Sequence, residues 1–238
     1  MLEPVKPVTI PIKGSDFSFP VRRIWCVGRN FAEHAREMGH DPKREPPFFF
    51  SKPADAVVVG GGELMFPIAT ENLHHEVELA VAIGGPGLAV SANEAESLIY
   101  GYAVALDMTR RDLQDEAKHL ARPWAMAKGF DQSCPISEIV PVSSLGALDR
   151  GRIELKVNGD LRQAGDLSQM IWSTSECLSV LSNYVELRAG DLLLTGTPSG
   201  VGRVLPGDDL KAQIEGVGEL RVRYARRENG SRLAREGL

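Results

Sequence analysis

Short apolar runs separated by glycine and proline turns dominate the hydrophobic pattern of this 238-residue chain. Runs of this length are typical of buried strands and are too short for most helices. With 24 glycines and 15 prolines spread along the chain, turns are frequent, and we expect an α+β, β-rich fold. The predicted buried strands include residues 24–27, 48–50, 77–83, 101–106, 124–128 and 191–195.

Helical patterns and turn signals fill the intervals between these strands. We predict helices over about 31–38, 91–99, 109–120 and 167–183, the second of them opened by a Ser91/Glu94 capping box. Asn158-Gly159 predicts a hairpin between flanking strands, and the glycines at 60–62 predict another turn of this kind. A further hairpin is expected within 209–224, while residues 1–20 favour an arm or edge strands.

Charge and cysteine content exclude several classes of function. The net charge of −5 provides no basic footprint for nucleic acid. No apolar run approaches the length that spans a bilayer, and the N-terminus does not resemble a secretory signal. Three widely separated cysteines without a C-x-x-C motif fit a reducing compartment. We therefore expect a soluble, cytoplasmic protein with no membrane partner.

Three carboxylates fall at the ends of two predicted strands. Glu76 and Glu78 are two residues apart on one strand and share a face, and Asp107 ends the run over 101–106. If these strands are neighbours, the three side chains converge, and such oxygen ligands suit Mg²⁺ or Mn²⁺. A solvated strand edge is the plainer alternative. A Zn²⁺ set of His74, Glu76 and Glu78 is a further one.

A histidine and several charged side chains accompany this carboxylate group. His34 and Glu37 stand three residues apart on a predicted helix, as a general base and the carboxylate that orients it would, or as a plain exposed pair. Lys52 either binds a substrate carboxylate or is a surface lysine. Arg111 and Gln114 share a helix face and could also bind a carboxylate, whereas Lys128 follows an apolar run and is expected to be buried.

Six short motifs occur in a fixed order along the chain. They lie within residues 27–34, 51–53, 74–78, 101–109, 127–128 and 194–202, the last a glycine-rich loop. In this order they resemble the fumarylacetoacetate hydrolase family over nearly the whole chain, and in particular its short acylpyruvate hydrolase branch. The segments 45–52 and 107–114 are most similar to bacterial fumarylpyruvate hydrolases.

The resemblance implies a mixed β-roll with short flanking helices and a homodimer. It also implies Mg²⁺ or Mn²⁺ on Glu76, Glu78 and Asp107, a His34–Glu37 pair that deprotonates water, and Lys128 near the reacting carbonyl. The residues that match substrate-facing positions or lie in the matching motifs are Arg29, Lys52, Arg111, Gln114 and Thr197. The implied reaction is hydrolysis of a 2,4-diketo acid, a small-molecule 2-oxo acid, to pyruvate and a carboxylic acid, fumarate for fumarylpyruvate.

Other activities and one division of the chain follow from the same resemblance. The alternatives are oxaloacetate decarboxylation, hydration or isomerisation of a 2-oxo-dienoate, and metal binding without turnover. Residues 21–238 are expected to form a single catalytic domain after the 1–20 arm. Within it, 21–70 carry the His/Glu helix and a flap around 32–47, and 71–238 form the metal-binding core.

Overall fold

Short strands make up most of the protein's regular structure. The computed structural model describes residues 6–37 and 45–227, and the side chains of Ala35 and Glu37 lie outside the described part. The strands are β1 (Thr9–Pro11), β2 (Ser18–Pro20), β3 (Arg23–Gly28), β4 (Phe48–Lys52), β5 (Val57–Val59), β6 (Gly62–Met65), β7 (Leu73–His75), β8 (Val77–Ile83), β9 (Ile99–Leu106), β10 (Thr109–Arg110), β11 (Cys134–Ile136), β12 (Val140–Pro141), β13 (Arg152–Val157), β14 (Asp160–Asp166), β15 (Asp191–Leu194), β16 (Gly202–Val204), β17 (Asp209–Ile214) and β18 (Gly218–Ala225). The helices are α1 (Ala32–Glu37), α2 (Ala92–Ser97), α3 (Arg111–His119), α4 (Ala125–Lys128), α5 (Val142–Leu145) and α6 (Thr174–Ser182).

A mixed sheet carries the strands that matter for function. Its order is β4-β3-β15-β8-β9-β11-β5, with β12 paired to β9. A five-stranded sheet of order β14-β13-β17-β18-β6 packs against it, and small sheets β10-β7-β16 and β1-β2 complete the described strands. The chain is thus an α+β, β-rich roll with short flanking helices, as expected.

Strands β8 and β9 are buried on both faces, and the two faces differ in size of side chain. Leu79 and Val81 belong to the large cluster shared with the five-stranded sheet, whereas Ala80 and Ala82, with Ala103 and Ala105 of β9, belong to a second cluster. Glu76 and Glu78 have the parity of the alanines, so they emerge on the face of the small residues. Small side chains on that face leave room for a site at its end.

Several predicted elements are confirmed. The strands β8 and β9 are antiparallel neighbours, with Val77 opposite Leu106. The Asn158-Gly159 turn joins β13 to β14, and both residues have positive φ, as this turn type requires. Strands β17 and β18 form the expected last hairpin, and the capping box of α2 is present at Ser91.

The turn at 60–62 was wrongly predicted to close a hairpin. Strand β5 before it pairs in parallel with β11, and strand β6 after it pairs in parallel with β18. The glycines therefore carry the chain from one sheet to another. Gly61 in particular packs so closely on the Arg221 carbonyl that a Cβ would lie 2.1 Å from that oxygen.

Two further element predictions are wrong. Residues 125–128 form helix α4, not a strand, because Ala, Met and Lys favour helix and a run this short has no readable period. The helix predicted over 167–183 begins only at Thr174, where Ser173 and Glu176 form a capping box. A 3₁₀ turn, Leu167–Gln169, precedes it.

The expected N-terminal arm contributes to the core, whereas the expected flap is described only in part. Ile10, Ile12 and Phe19, from the segment expected to form an arm or edge strands, are buried in the second cluster, which also contains Ala80 and Ala82. Helix α1 starts at Ala32, and residues 38–44 of the expected flap lie outside the described residues. Within the described ranges, no helix is long and apolar enough to cross a membrane.

Candidate active site

Glu76, Glu78 and Asp107 meet at the end of the β8–β9 pair. One oxygen from each lies within 4.8 Å of the others, and all three residues are buried. The Asp107 N–H donates to the Glu76 carbonyl at 2.8 Å, which sets these two residues opposite each other just beyond the ladder. Within residues 6–37 and 45–227, no other group of three His, Cys, Asp or Glu side chains comes this close.

Two buried lysines neutralise part of this negative charge. Lys128 Nζ lies 2.8 Å from Glu76 Oε2 and 2.7 Å from Asp107 Oδ2, so α4 brings its last residue onto the carboxylates. Lys52 Nζ lies 2.8 Å from Asp107 Oδ1 and also donates to the main-chain carbonyls of Met108 and Lys128. Lys52 is therefore not a surface lysine, and its ammonium group contacts buried protein oxygens.

The donor set fits a hard divalent cation. Asp107 Oδ1 is buried and accepts no hydrogen bond from the described residues, although the Lys52 ammonium is close to it. Glu78 Oε2 accepts one bond, from the Gly196 N–H at 2.8 Å. Mg²⁺ and Mn²⁺ bind carboxylate oxygens, and buried, clustered oxygens that accept few hydrogen bonds are available as ligands.

The three carboxylates sit in unequal electrostatic environments. Burial raises the pKa of Glu76, but Lys128 and Arg111 more than offset this, and its pKa lies well below the usual range. Burial and the adjacent Asp107 and Glu76 charges raise the pKa of Glu78 well above the usual range. Burial lowers the pKa of Lys128, yet Asp107 and Glu76 raise it further still, so its charge is retained. Without a cation, Glu78 is the carboxylate that holds a proton.

The raised pKa of Glu78 predicts how the free energy of unfolding varies with pH when metal is removed. Folded Glu78 keeps its proton where the unfolded chain has lost it, so the unfolding free energy falls as pH rises above roughly 4.3. The contribution is up to about 1.4 kcal/mol per pH unit. In urea unfolding with a chelator from pH 5 to 8, Glu78→Gln should show a shallower decline than the wild type. Parallel curves for the two proteins would contradict the assignment.

Arg111 and His74 support the triad from the side of α3. The Arg111 guanidinium binds Glu76 Oε1 and Gln114 Oε1, and its Nε donates to His74 Nδ1 at 3.3 Å. His74 Nε2 lies 3.0 Å from Asn72 Oδ1, so both ring nitrogens are engaged and the ring is neutral. Burial and the Arg111 charge lower the pKa of His74 to about 4. The alternative Zn²⁺ set of His74, Glu76 and Glu78 is thus not the group that forms.

His34 from α1 enters the same pocket. It is buried, and its positive form would help to lower the pKa of Glu76. The side chain of Glu37 lies outside the described residues, so its pairing with His34 stays a prediction. The Asn30 side chain, just before α1, binds the Trp172 main chain and the Thr195 carbonyl.

The glycine-rich loop after β15 is fastened to β8 by Gln163. Its Nε2 donates to Thr197 Oγ1 and the Pro198 carbonyl, each at 2.8 Å. Its Oε1 accepts from the Val77 N–H at 3.1 Å and lies 2.9 Å from His75 Nδ1, which must be the donor. The amide of a buried residue on β14 thus holds the loop whose Gly196 N–H reaches Glu78.

Removing this amide is predicted to destabilise the protein. Gln163→Leu leaves buried donors of Val77 and His75 without an acceptor, and one such group alone costs about 1–3 kcal/mol. Urea unfolding should therefore show a clear loss of free energy. The exposed Gln213→Leu on β17 is the matched control and should stay within about 0.5 kcal/mol of wild type. Equal effects would mean that the amide contributes nothing specific.

One pocket of about 460 Å³, partly open to solvent, gathers most of the predicted residues. The predicted residues in its lining are Arg29, His34, Glu76, Glu78, Asp107, Arg111, Gln114, Lys128 and Thr197. The lining also includes Phe50, Lys118 and Trp124, which sequence reasoning did not identify. Lys118 continues the Arg111–Gln114 face of α3, and that helical spacing is the signal that could have identified it.

Comparisons with known proteins agree with this arrangement. The family model described as "Fumarylacetoacetate (FAA) hydrolase C-terminal" matches residues 23–224. The mitochondrial oxaloacetate tautomerase FAHD1 of Rattus norvegicus is 44% identical over 214 residues, 87% of this chain and 96% of that protein. The fumarylpyruvate hydrolase of Ralstonia sp is 43% identical over 180 residues, 76% of this chain and 93% of that one.

A solved structure gives the same result for the fold. The crystal structure of fumarylpyruvate hydrolase from Pseudomonas aeruginosa, in complex with Mn²⁺ and pyruvate, superposes with a TM-score of 0.93. It is 50% identical in sequence, and the match covers 95% of this chain and 99% of that chain. The family match over residues 23–224 includes every residue of the candidate site.

Proposed function

The chain belongs to the fumarylacetoacetate hydrolase family, and from this premise we propose that it hydrolyses the C–C bond of an acylpyruvate. The products are pyruvate and a carboxylic acid. Similarity to proteins named fumarylpyruvate hydrolase from Pseudomonas aeruginosa and Ralstonia favours fumarylpyruvate as the substrate. The observation that carries the proposal is the convergence of Glu76, Glu78 and Asp107 with His34 and Lys128 in one pocket. A triad alone would suit a metal-binding protein, but a buried histidine beside it adds a base.

The metal is part of the proposal. Glu76, Glu78 and Asp107 would hold Mg²⁺ or Mn²⁺, and the Mn²⁺ named with the similar Pseudomonas structure supports a divalent ion. When bound, such an ion supplies a Lewis acid that stabilises negative charge on the oxygens of a 2-oxo acid, worth several kcal/mol. Lys52 and Lys128 hold the Asp107 and Glu76 carboxylates in place for it through ion pairs.

His34 takes the proton of the attacking water. The water oxygen bonds to the 4-carbonyl carbon, and Lys128, which lines the same pocket, would stabilise the oxyanion that forms there. The bond between that carbon and the neighbouring methylene then breaks, and its electron pair passes into the enolate of pyruvate. Protonation of the methylene carbon completes pyruvate, so one water and one acylpyruvate yield pyruvate, a carboxylate and a proton.

A product-resolved substrate panel tests this function. Metal-loaded protein is incubated with fumarylpyruvate, acetylpyruvate and oxaloacetate, and every product is quantified by NMR. Equal amounts of pyruvate and the matching acid from an acylpyruvate are expected. No cleavage of any acylpyruvate by the loaded protein would overturn the proposal.

A second candidate is oxaloacetate chemistry, which the similarity to the rat tautomerase favours. Moving a proton within oxaloacetate, or losing carbon dioxide from it, uses the same stabilised enolate but no attack by water. The same panel separates the activities, because tautomerisation gives no cleavage and decarboxylation gives carbon dioxide without a second acid. Activity on oxaloacetate alone would make this the main function.

We also propose that the protein is a homodimer, as its family resemblance implies, and that it is cytoplasmic, as its three dispersed cysteines suggest. Light scattering coupled to size exclusion should give twice the chain mass of 25.9 kDa. A mass of one chain would contradict the dimer without affecting the proposed chemistry.

A further inference from the structure

The rim of the pocket carries a cation against each of two touching aromatic rings. Phe48 and Trp124 meet edge to face with centroids 5.5 Å apart. The Arg29 guanidinium lies 4.9 Å from the Phe48 centroid, and the Lys118 ammonium lies 5.8 Å from the Trp124 centroid. Arg29, Lys118 and Trp124 all line the pocket. The four side chains therefore form one continuous wall, which we call the cationic rim.

Positive charge is in surplus at this rim. The other cations of the pocket, Arg111 and Lys128, are paired with the buried carboxylates. Lys118 has Asp115 at 3.7 Å, an acid whose side chain is 60% exposed, and such a pair is weak. Among the residues that the structure describes, Arg29 forms no ion pair. Burial and then the charge of Arg111 lower the pKa of Lys118, and Arg29 adds to the effect.

The backbone of Arg29 is held in a left-handed conformation, with a φ of 60°. A residue with a Cβ pays about 1–2 kcal/mol for this conformation, and glycine would avoid most of that cost. Strain of this kind clusters at ligand sites, where the side chain is needed. It agrees with a guanidinium placed for a ligand, because the side chain stacks on Phe48 and has no carboxylate partner among the described residues.

The length of α3 determines how far the cationic rim lies from the metal triad. Arg111, at the start of the helix, binds Glu76, and Lys118 is seven residues later on the same side. At 1.5 Å per residue, the Lys118 backbone lies about 10 Å further along the helix axis. Two pocket-lining rings connect the two ends: Phe50 lies 5.0 Å from the Lys128 ammonium beside the triad and 5.6 Å from Trp124, which contacts Lys118. A flat apolar chain fits such a wall.

We propose that Lys118 and Arg29 bind a carboxylate at the far end of the acyl group, which makes them specificity-determining residues. The enzyme then prefers acylpyruvates whose acyl part is a planar, unsaturated chain ending in a carboxylate over those with a short neutral acyl group. This inference rests on the proposed function, because that function puts the 2-oxo acid end of the substrate at the triad.

The test compares two substrates across matched lysine variants. For Lys118→Gln, kcat/KM with fumarylpyruvate should fall about five- to tenfold, the effect of losing a partly exposed charged hydrogen bond, and the change should be a rise in KM. With acetylpyruvate, kcat/KM should change less than twofold. Arg29→Gln should show the same selectivity. Lys13→Gln is the control, because Lys13 also has an acid at 3.7 Å but lies away from the pocket, and it should change neither substrate. Equal losses on both substrates, or none, would overturn the inference.

A binding measurement keeps the inference testable without turnover. Metal-loaded wild type and Lys118→Gln are titrated with fumarate and with crotonate, which lacks the second carboxylate, by ligand-observed NMR. Weaker binding of fumarate but unchanged binding of crotonate supports the rim site, even if no acylpyruvate is cleaved and the proposed function fails. Identical fumarate binding by the two proteins would overturn the rim site, whatever the wild type hydrolyses.

Discussion

Glu78→Gln is expected to lower kcat/KM for an acylpyruvate by about a thousandfold, since losing a metal ligand forfeits several kcal/mol of transition-state stabilisation. The same variant, freed of metal, should be at least as stable as the wild type at neutral pH. Glu78 is buried beside two other carboxylates, and its main-chain partner is the Gly196 N–H. At neutral pH, metal-free folded Glu78 keeps a proton that the unfolded chain has lost, which lowers stability, and a neutral amide avoids this cost. Activity and stability should thus change in opposite directions.

Three measurements on one preparation check this. They are kcat/KM with saturating Mn²⁺, the metal dissociation constant by calorimetry, and urea unfolding with a chelator. The exposed Glu63→Gln on β6 is the matched control and should leave all three unchanged. If Glu78→Gln stayed active, or unfolded much more easily than the wild type, Glu78 would be structural and not a metal ligand.

His34→Asn should reduce kcat by about 10²–10⁴-fold, the usual contribution of a general base. Metal affinity should change little, because His34 is not one of the clustered carboxylate ligands. The exposed His119 of α3 offers a control, and His119→Asn should retain full activity. The decisive comparison is kcat against the metal dissociation constant for each variant. A loss of activity that higher metal concentration restores would remove His34 from the proton transfer.

The sequence identified the triad because strand parity is a local property. Glu76 and Glu78 share a face in any strand, and the β8–β9 pairing that brings Asp107 to them follows from two neighbouring apolar runs. Helix and strand could not be separated for 125–128, since four residues contain no complete period. Lys128 was nevertheless expected to be buried, and it is.

Contacts between distant segments were beyond the sequence argument. Gln163 reaches the 196–200 loop only because the five-stranded sheet packs against the larger one, and nothing near it in sequence signals this. The pairing of Lys52 with Asp107 likewise joins β4 to the end of β9 across the sheet. The roles implied for the triad, His34 and Lys128 came from family resemblance, because spacing alone left a solvated strand edge and a Zn²⁺ set open.

The most direct test of the account is hydrolysis of fumarylpyruvate in ¹⁸O-labelled water by the Mn²⁺-loaded protein. We predict that pyruvate and fumarate appear in equal amounts, with one label from water in the new fumarate carboxylate, and that a chelator stops the reaction. Formation of carbon dioxide or a change of tautomer, without any fumarate, would contradict C–C hydrolysis at this site.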